Sequence, residues 1–273
     1  MKRREYTKNE RNFIIEEYDS FSELIRTCKG RPRNWKSHID SKGKFDNADW
    51  VGVKTYKEAE ELLRFGWQDN EKIKALKDKV AKLNKAHDVQ KIGFKNDVVG
   101  FAPVVPNAII GIPQNMINSV RAPKKQKVIT ILADMTTSAN TKTSEYLEWG
   151  AQLISKIVQL EKSGFRVRLE YVNSFSEDGH GKVHACRVLM KSENQPFDIK
   201  RYMFPLAHTA MFRGLMFDWY EKLPNAQHIF GYGSALVHHK KDKDFIKKEI
   251  CNADDCYYIT CKEDIEGKFK GVE

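Results

Sequence analysis

Apolar and polar positions follow a clear pattern between Lys127 and Tyr171. The section opens with an apolar run rich in β-branched residues and passes through a short polar stretch into a long amphipathic segment, Ser144 to Lys162. After Gly164, a second β-type run from Phe165 to Tyr171 closes the section. A buried strand, a polar loop, a helix and another strand predict a βαβ unit whose two strands are parallel.

The N-terminal part of the chain shows mainly helical patterns. Apolar residues from Tyr6 to Cys28 recur at spacings of three and four, which is typical of an amphipathic helix. Ser20, with Glu23 three residues later, has the form of a capping box that starts a second helix there. Thr55 and Glu58 repeat this arrangement and predict another helix start.

The composition changes twice before the βαβ unit. From Asp69 to Lys91 the chain is strongly charged with one apolar stripe, which predicts an exposed helix. From Ile92 to Pro123, glycines and prolines interrupt the apolar residues and predict short strands and turns, with Asn107 to Pro113 as an extended, buried lead-in to the sheet. We therefore expect a helical and irregular N-terminal region, residues 1–91, that packs on an α/β domain formed by residues 92–273.

Strand and helix patterns continue to alternate after the βαβ unit. Val183 to Met190 predicts an antiparallel strand at the sheet edge, because its connection is too short for a crossover helix. Phe197 to Leu223 predicts a long apolar helix that Pro205 kinks or splits near Tyr202. A helix from Asp242 to Ile250 and a strand from Cys256 to Thr260 complete the pattern. The predicted class is α/β, with a doubly wound, mostly parallel sheet and one antiparallel edge strand.

Composition and charge narrow the function classes. The chain of 273 residues is 41% hydrophobic, which supports a real core, and its net charge of +10 is dispersed along its length. Charged residues at the N-terminus predict a protein that is not secreted by a signal peptide. No stretch approaches the roughly 18 apolar residues that cross a bilayer, so we expect no membrane partner. The five cysteines are expected to be thiols in a reducing compartment.

A candidate metal site follows the first strand of the βαβ unit. Asp134, Thr136 and Ser138 stand on alternate loop residues, at the sheet edge where α/β proteins bind their ligands. One carboxylate and two hydroxyl groups are hard oxygen ligands that suit Mg²⁺ or Ca²⁺. Alternatively, Asp134 and Ser138 cap the following helix through its free N–H groups.

This loop resembles the metal-ion-dependent adhesion site of the von Willebrand factor A-type domain, with Thr136 in place of the first serine. The resemblance covers roughly Lys127 to Thr260, and it implies a doubly wound sheet and a divalent cation that bridges to a partner protein. The family's site also takes a threonine from a later loop and an aspartate after a central strand. At that strand end this chain has Gly231-Tyr232-Gly233-Ser234, without a carboxylate.

A second resemblance concerns several short motifs spread over most of the chain. Tyr146-x-x-Trp149-Gly150-Ala151, Pro196-Phe197-Asp198 and the stretch from Leu206 to Arg213 resemble motifs of uncharacterised proteins encoded in tailed-phage genomes. The resemblance implies a viral origin, with the host-cell cytoplasm or the virion as the location. No activity is implied by it.

His208 and Arg213 interrupt the apolar helix pattern. Together with Thr136 they are candidates for binding an anionic ligand or a partner, and His208 is suited to acid–base chemistry near neutral pH. The alternative is structural: a buried histidine bonded to a carbonyl oxygen, and an arginine paired with Asp218 or Asp198.

Two basic stretches are candidates for nucleic-acid contact. In the first, Arg31, Arg33 and Lys36 flank Trp35, a mixture of cations and an aromatic ring that single-strand binding surfaces use. The second contains Lys124 and Lys125. The alternative is that both stretches are exposed connections.

No phosphate-binding loop, nucleophile elbow or dinucleotide-binding fingerprint is present in the sequence. We therefore expect a non-catalytic interaction module that binds another protein through the carboxyl edge of the sheet. Two alternatives remain, a nucleic-acid-binding protein and a metal-assisted hydrolase. The hydrolase requires Asp134 and His208 to face one cleft.

Overall fold

The computed structural model describes residues 1–8, 10–34, 37–67, 70–83, 93–100, 102–120, 127–177, 181–224, 226, 232, 234–235, 240–251, 255–261 and 265–269. The strands are β1 (Lys2–Lys8), β2 (Arg11–Tyr18), β3 (Gly93–Asp97), β4 (Ala102–Pro103), β5 (Met116–Val120), β6 (Val128–Asp134), β7 (Arg166–Ser176), β8 (Val183–Lys191), β9 (Ser234–Ala235) and β10 (Cys256–Thr260). The helices are α1 (Phe21–Gly30), α2 (Ala48–Val51), α3 (Tyr56–Phe65), α4 (Asn70–Leu83), α5 (Val105–Ile109), α6 (Thr143–Lys162), α7 (Ile199–Ala207), α8 (Phe217–Glu221), α9 (Lys240–Ile250) and α10 (Ile265–Lys268), with a π-helical segment at Met211–Met216 before α8.

The main sheet has the strand order β1-β2-β8-β7-β6-β10, and β9 pairs with the end of β7. Strand β6 runs parallel to β7 and β10, and β2 runs parallel to β8. The β1–β2 and β7–β8 pairs are antiparallel. Apolar side chains are buried on both faces of the sheet, in a larger core that includes α6 and α7 and a smaller core that includes α9. The expected α/β class with a mostly parallel sheet is confirmed.

The βαβ unit forms as predicted. Side chains along β6 alternate between the two cores, which explains its continuous apolar sequence. Helix α6 ends at Lys162, and Gly164 has a φ of +90°. Glycine adopts this left-handed conformation without steric cost, so the chain can turn directly into β7.

The predicted helix over Tyr6 to Cys28 is wrong in its first half, because Lys2–Lys8 form β1 and Arg11–Tyr18 form β2. Helix α1 begins only after Ser20, whose hydroxyl accepts a hydrogen bond from the Glu23 N–H at 3.2 Å, as the capping box predicted. Strand β2 lies between β1 and β8 in the main sheet. Strand β8 is therefore antiparallel to β7 as expected, but it is not an edge strand.

A second, three-stranded sheet has the order β3-β5-β4. The expected buried lead-in from Asn107 to Pro113 is wrong. This part of the chain overlaps helix α5 and a turn, and Ile109 is 79% exposed. Frequent prolines and glycines favour turns here more strongly than the apolar residues favour a buried strand.

The long apolar segment that contains Pro205 is divided, but the break lies at His208, six residues after Tyr202, where it was expected. Helix α7 ends at Ala207, and His208 is extended, with φ −111° and ψ 126°. The π-helical segment and α8 follow, and almost all of their side chains are buried.

Two of the five cysteines are joined, and the other three are thiols. Cys251 and Cys256 form a disulfide, so the expectation of five thiols is wrong for this pair. Cys28, Cys186 and Cys261 are free and buried.

No helix in the described ranges is both long enough and apolar enough to cross a membrane.

Candidate functional site

Asp134 is the last residue of β6 and is only 1% exposed. Its Oδ1 accepts hydrogen bonds from the N–H of Thr136 at 3.0 Å and from the Thr136 hydroxyl at 2.7 Å. Its Oδ2 accepts hydrogen bonds from the hydroxyl groups of Ser174 and Tyr258. Burial raises the pKa of Asp134, because these bonds to the charged form only partly offset the loss of water. The carboxyl group thus holds the start of the loop against two neighbouring strands.

The other predicted metal ligands are also engaged within the protein. The Thr136 hydroxyl additionally accepts a bond from the Ser174 N–H at 2.7 Å, and Ser138 Oγ accepts one from the Asn140 N–H at 3.3 Å. No group of three or more histidine, cysteine, aspartate or glutamate side chains that could hold a metal occurs in the described part of the chain. The Mg²⁺ or Ca²⁺ site stays a prediction that this geometry does not favour.

Asp134 and His208 lie on opposite faces of the sheet. Asp134 is bonded to Tyr258, which belongs to the core on the α9 face. The His208 ring contacts Trp67 and Phe204 of the other core, with ring centroids 4.7 and 5.2 Å apart. His208 Nδ1 accepts the Ala210 N–H at 3.1 Å, which stabilises the break after α7. The two residues do not share the cleft that the hydrolase alternative requires.

Arg213 is 2% exposed and contacts the loop after β6 from the interior of the protein. Its guanidinium donates to the carbonyl oxygens of Trp50 at 2.7 Å, of Ala139 at 3.4 Å and of Thr141, and it lies 4.5 Å from the Trp50 ring centroid. Burial lowers the pKa of Arg213. Carbonyl oxygens accept the Arg213 hydrogen bonds, instead of the Asp218 or Asp198 carboxylate that the structural alternative expected. Arg213 therefore positions the loop.

A cavity of about 310 Å³ opens beside this loop, at the carboxyl ends of β6 and β7 on the α6 face. Loop residues, strand residues and aromatic side chains from distant parts of the chain form its walls; they include Trp50, Thr136, Asn173, Phe175, Phe217 and Tyr232. The rings of Phe217 and Tyr232 are stacked, with centroids 3.8 Å apart. The cavity is therefore a mainly aromatic pocket at the sheet edge where α/β proteins bind ligands.

Several buried polar atoms lie in and under this pocket without a hydrogen bond of normal geometry to the described residues. They are Asn173 Nδ2, Tyr171 Oη, Tyr146 Oη and Arg213 Nε. Asn173 is 2% exposed and lines the pocket. Burial raises the pKa values of Tyr146 and Tyr171, so both hydroxyl groups keep their protons at neutral pH. Buried donors normally have partners, and the Asn173 side chain interacts with that of Tyr171 while the residue also lines the pocket.

The residues predicted for nucleic-acid contact are not brought together. Arg31 donates to both oxygens of the buried Glu16 carboxylate at 2.8 and 3.0 Å. Arg33 is paired with the buried carboxylates of Asp218, at 2.8 Å, and Glu221, at 3.3 Å. Trp35, Lys36, Lys124 and Lys125 lie outside the described residues. The charges of Arg31 and Arg33 are thus balanced inside the protein.

Sequence reasoning located the loop after β6 but missed most of the pocket. Trp50, Asn173, Phe217 and Tyr232 come from four separate parts of the chain. The available signals were an amide at an alternate strand position shared with Val167, Leu169, Tyr171 and Phe175, and a high density of aromatic residues between 212 and 232.

Comparisons with known proteins identify a family and no function. A search of curated proteins and a search of solved structures each found no match. A family model for a domain of unknown function (DUF7192) matches residues 4–268, nearly the whole chain. The chain therefore belongs to the DUF7192 family.

Proposed function

We propose that the protein is an interaction module that binds another protein at the carboxyl edge of the sheet and takes one aromatic side chain of that partner into the pocket. The observation that carries this proposal is the aromatic cavity at the carboxyl edge of the sheet, which is lined by the rings of Trp50, Phe217 and Tyr232 and by the buried Asn173 amide. Aromatic walls with a small number of polar groups among them are typical of ligand pockets.

The size and chemistry of the pocket support a side-chain-sized ligand. Its volume of about 310 Å³ lies at the lower end of the usual range for ligand pockets, about 300–1,000 Å³. Aromatic walls favour a planar ring through stacked and edge-to-face contacts. Asn173 and the Thr137 hydroxyl lie at the same cavity and suit a ring with a polar tip, such as tyrosine or tryptophan. Aromatic side chains are also the usual anchors of protein interfaces.

The finer fold assignment, a von Willebrand A-like domain of phage origin, is part of the same proposal. The order of β6, loop, α6 and β7, with β10 parallel to β6, supports the von Willebrand A-like fold, and the phage origin rests on the motif resemblance alone. In that type of domain a cation at the loop bridges to the partner. Because the Asp134 oxygens already accept protein donors, the proposed contact here is made by the pocket, and the cation is not required.

Selection of peptides tests the proposal without a known partner. Random peptides displayed on phage are selected against the full chain and then against Ala235→Trp, in which a large side chain fills the pocket that Ala235 lines. We expect the selected peptides to share a tyrosine or tryptophan and to lose at least about tenfold in affinity for the filled variant. Peptides without an aromatic consensus, or with unchanged affinity for Ala235→Trp, would contradict the proposal.

A further inference from the structure

A second cavity of about 630 Å³ lies between the adjoining ends of β1 and β2 and helix α9. This basic groove is formed by five cations, two carboxylates and two phenylalanines: Lys8, Arg11, Lys240, Lys241, Lys248, Asp242, Asp244, Phe13 and Phe245. It lies on the α9 face, the opposite face from the aromatic pocket. Its function is therefore separable from the one proposed above.

Most of the positive charge in the basic groove is free to act on a ligand. Arg11 is engaged, since it is paired with Asp242 and donates to Ser176 Oγ at 2.6 Å. Lys8, Lys240, Lys241 and Lys248 take part in no ion pair within the described part of the chain. All four are exposed, so they can approach an anion without a large desolvation cost.

The position of two of these lysines strengthens the positive field. Lys240 and Lys241 occupy the first turn of the eleven-residue helix α9, where the helix dipole is positive and disfavours cations. An anion bound in the groove would relieve this repulsion. Lys241 and Lys248 are seven residues apart on the helix, which corresponds to roughly 10 Å along its axis. The cations are therefore spread over a longer distance than one phosphate group.

The floor of the groove is apolar and firmly packed. Phe13 and Phe245 have ring centroids 4.1 Å apart, and Lys8 Nζ lies 4.8 Å above the Phe245 ring. A concave, basic track with aromatic rings at its base is typical of surfaces that follow a single nucleic-acid strand. Among the described residues, the large exposed apolar side chains that a membrane surface needs lie elsewhere, for example at Phe65 and Ile109.

We propose that the basic groove binds the phosphodiester backbone of a single-stranded nucleic acid without sequence preference. Lys8, Lys240, Lys241 and Lys248 contact successive phosphates, and Phe245 supports a sugar or base. This site differs from the one predicted from the sequence, whose Arg31 and Arg33 are paired with buried carboxylates.

The test measures fluorescence anisotropy of a labelled 20-nucleotide DNA strand titrated with the full chain at several salt concentrations. The groove variant carries Lys240→Gln, Lys241→Gln and Lys248→Gln. The matched control carries Lys74→Gln, Lys77→Gln and Lys162→Gln, which removes the same charge from exposed lysines outside the groove. Lys240 and Lys241 stand at the positive end of α9 and Lys248 in its last turn. The gain from removing the first two offsets the small loss from the third, so we expect the groove variant to keep the wild-type melting temperature.

We expect the wild-type affinity to fall steeply with salt, and the groove variant to bind at least about tenfold more weakly, with a salt slope reduced by about 2 units. The control should stay within about threefold of the wild type. Equal weakening of both variants, or no DNA binding, would overturn the proposal. Equally tight binding to poly-L-glutamate or to phosphatidylserine vesicles would also overturn it, because the groove would then accept an acidic protein or a membrane.

Discussion

Asp134 and Asn173 stand at the carboxyl ends of two adjacent parallel strands, and their side chains point to opposite faces of the sheet. In the register of β6 and β7, Asp134 pairs with Val172, the residue before Asn173. Successive side chains of a strand alternate between its faces. Asp134 therefore faces the α9 core, where Tyr258 bonds to it, and Asn173 faces the aromatic pocket.

This alternation separates a structural residue from a candidate binding residue at the same sheet edge. All donors to the Asp134 carboxyl group come from the protein itself, whereas Asn173 lines the pocket. The sequence pattern singles out the Asp134 carboxylate, whereas the Asn173 amide is the better candidate for recognising a partner.

Replacing Asp134 should measure its structural role. Asp134→Ala leaves the buried donors of Thr136, Ser174 and Tyr258 without an acceptor, and we expect the free energy of unfolding to fall by about 3 kcal/mol. Asp134→Asn should lose less than half as much, since the hydroxyl groups can rotate to accept from the new amide. Urea unfolding measures both values.

The exposed Asp49 provides the control for this pair of variants. Asp49→Ala should change the free energy of unfolding by less than about 0.5 kcal/mol. An Asp134→Ala variant as stable as Asp49→Ala would show that the loop does not depend on the carboxyl group.

Asn173 should behave in the opposite way from Asp134. The side-chain interaction of Asn173 with Tyr171 is not a hydrogen bond of normal geometry, so Asn173→Leu removes a buried polar group of similar volume at little cost. We expect the free energy of unfolding to stay the same or to rise by up to about 1 kcal/mol, while the selected peptides lose affinity. A loss above about 2 kcal/mol would mean that the amide has a structural role.

Acid should destabilise the protein partly through Glu16, which is fully buried. Burial raises its pKa, but hydrogen bonds from Arg31, Tyr18 and Trp219 outweigh burial, and the pKa is lowered below the ordinary value of 4.5. A lowered folded-state pKa gives stability that is present above pH 4.5 and is lost as the pH falls through the folded-state pKa.

The measurement compares urea unfolding of wild type and Glu16→Gln between pH 7 and pH 3. The variant should be less stable at pH 7, and the difference should shrink on acidification. The exposed Glu5→Gln variant should show no such convergence. A constant difference between wild type and Glu16→Gln would be inconsistent with a lowered pKa.

Divalent cations should have little effect on thermal unfolding. Both Asp134 oxygens and the Thr136 hydroxyl are already hydrogen-bonded, so we expect the melting temperature to be the same in EDTA, Mg²⁺ and Ca²⁺. A ligand that binds only the folded state raises the melting temperature. A rise with Mg²⁺ or Ca²⁺ in wild type but not in Ser138→Ala would restore the metal site predicted from the sequence.

The sequence pattern correctly predicted those elements whose conformation depends mainly on residues within the same segment. The βαβ unit combines a β-branched run, a long amphipathic helix and a glycine with positive φ, and each of these constrains its own segment. Strand β2 was misread because its apolar residues face both cores, and a short run of this kind fits a helix equally well.

The pocket could not be predicted because its walls meet only through long-range packing. The Trp50 ring nitrogen donates to the Ala139 carbonyl oxygen at 3.2 Å, across 89 residues of sequence. Arg213 fixes the same loop from a third segment. The sequence located the sheet edge, and tertiary packing decided which side chains line it.

The most direct test of the pocket is an NMR titration that follows the side-chain amide of Asn173, assigned with the Asn173→Leu variant. N-acetyl-tryptophanamide is the probe, and N-acetyl-leucinamide is the matched aliphatic control. We predict that the Asn173 side-chain resonances move saturably with the tryptophan compound and stay in place with the leucine compound. Asn173 resonances that do not move with either compound, or that move equally with both, would contradict the account.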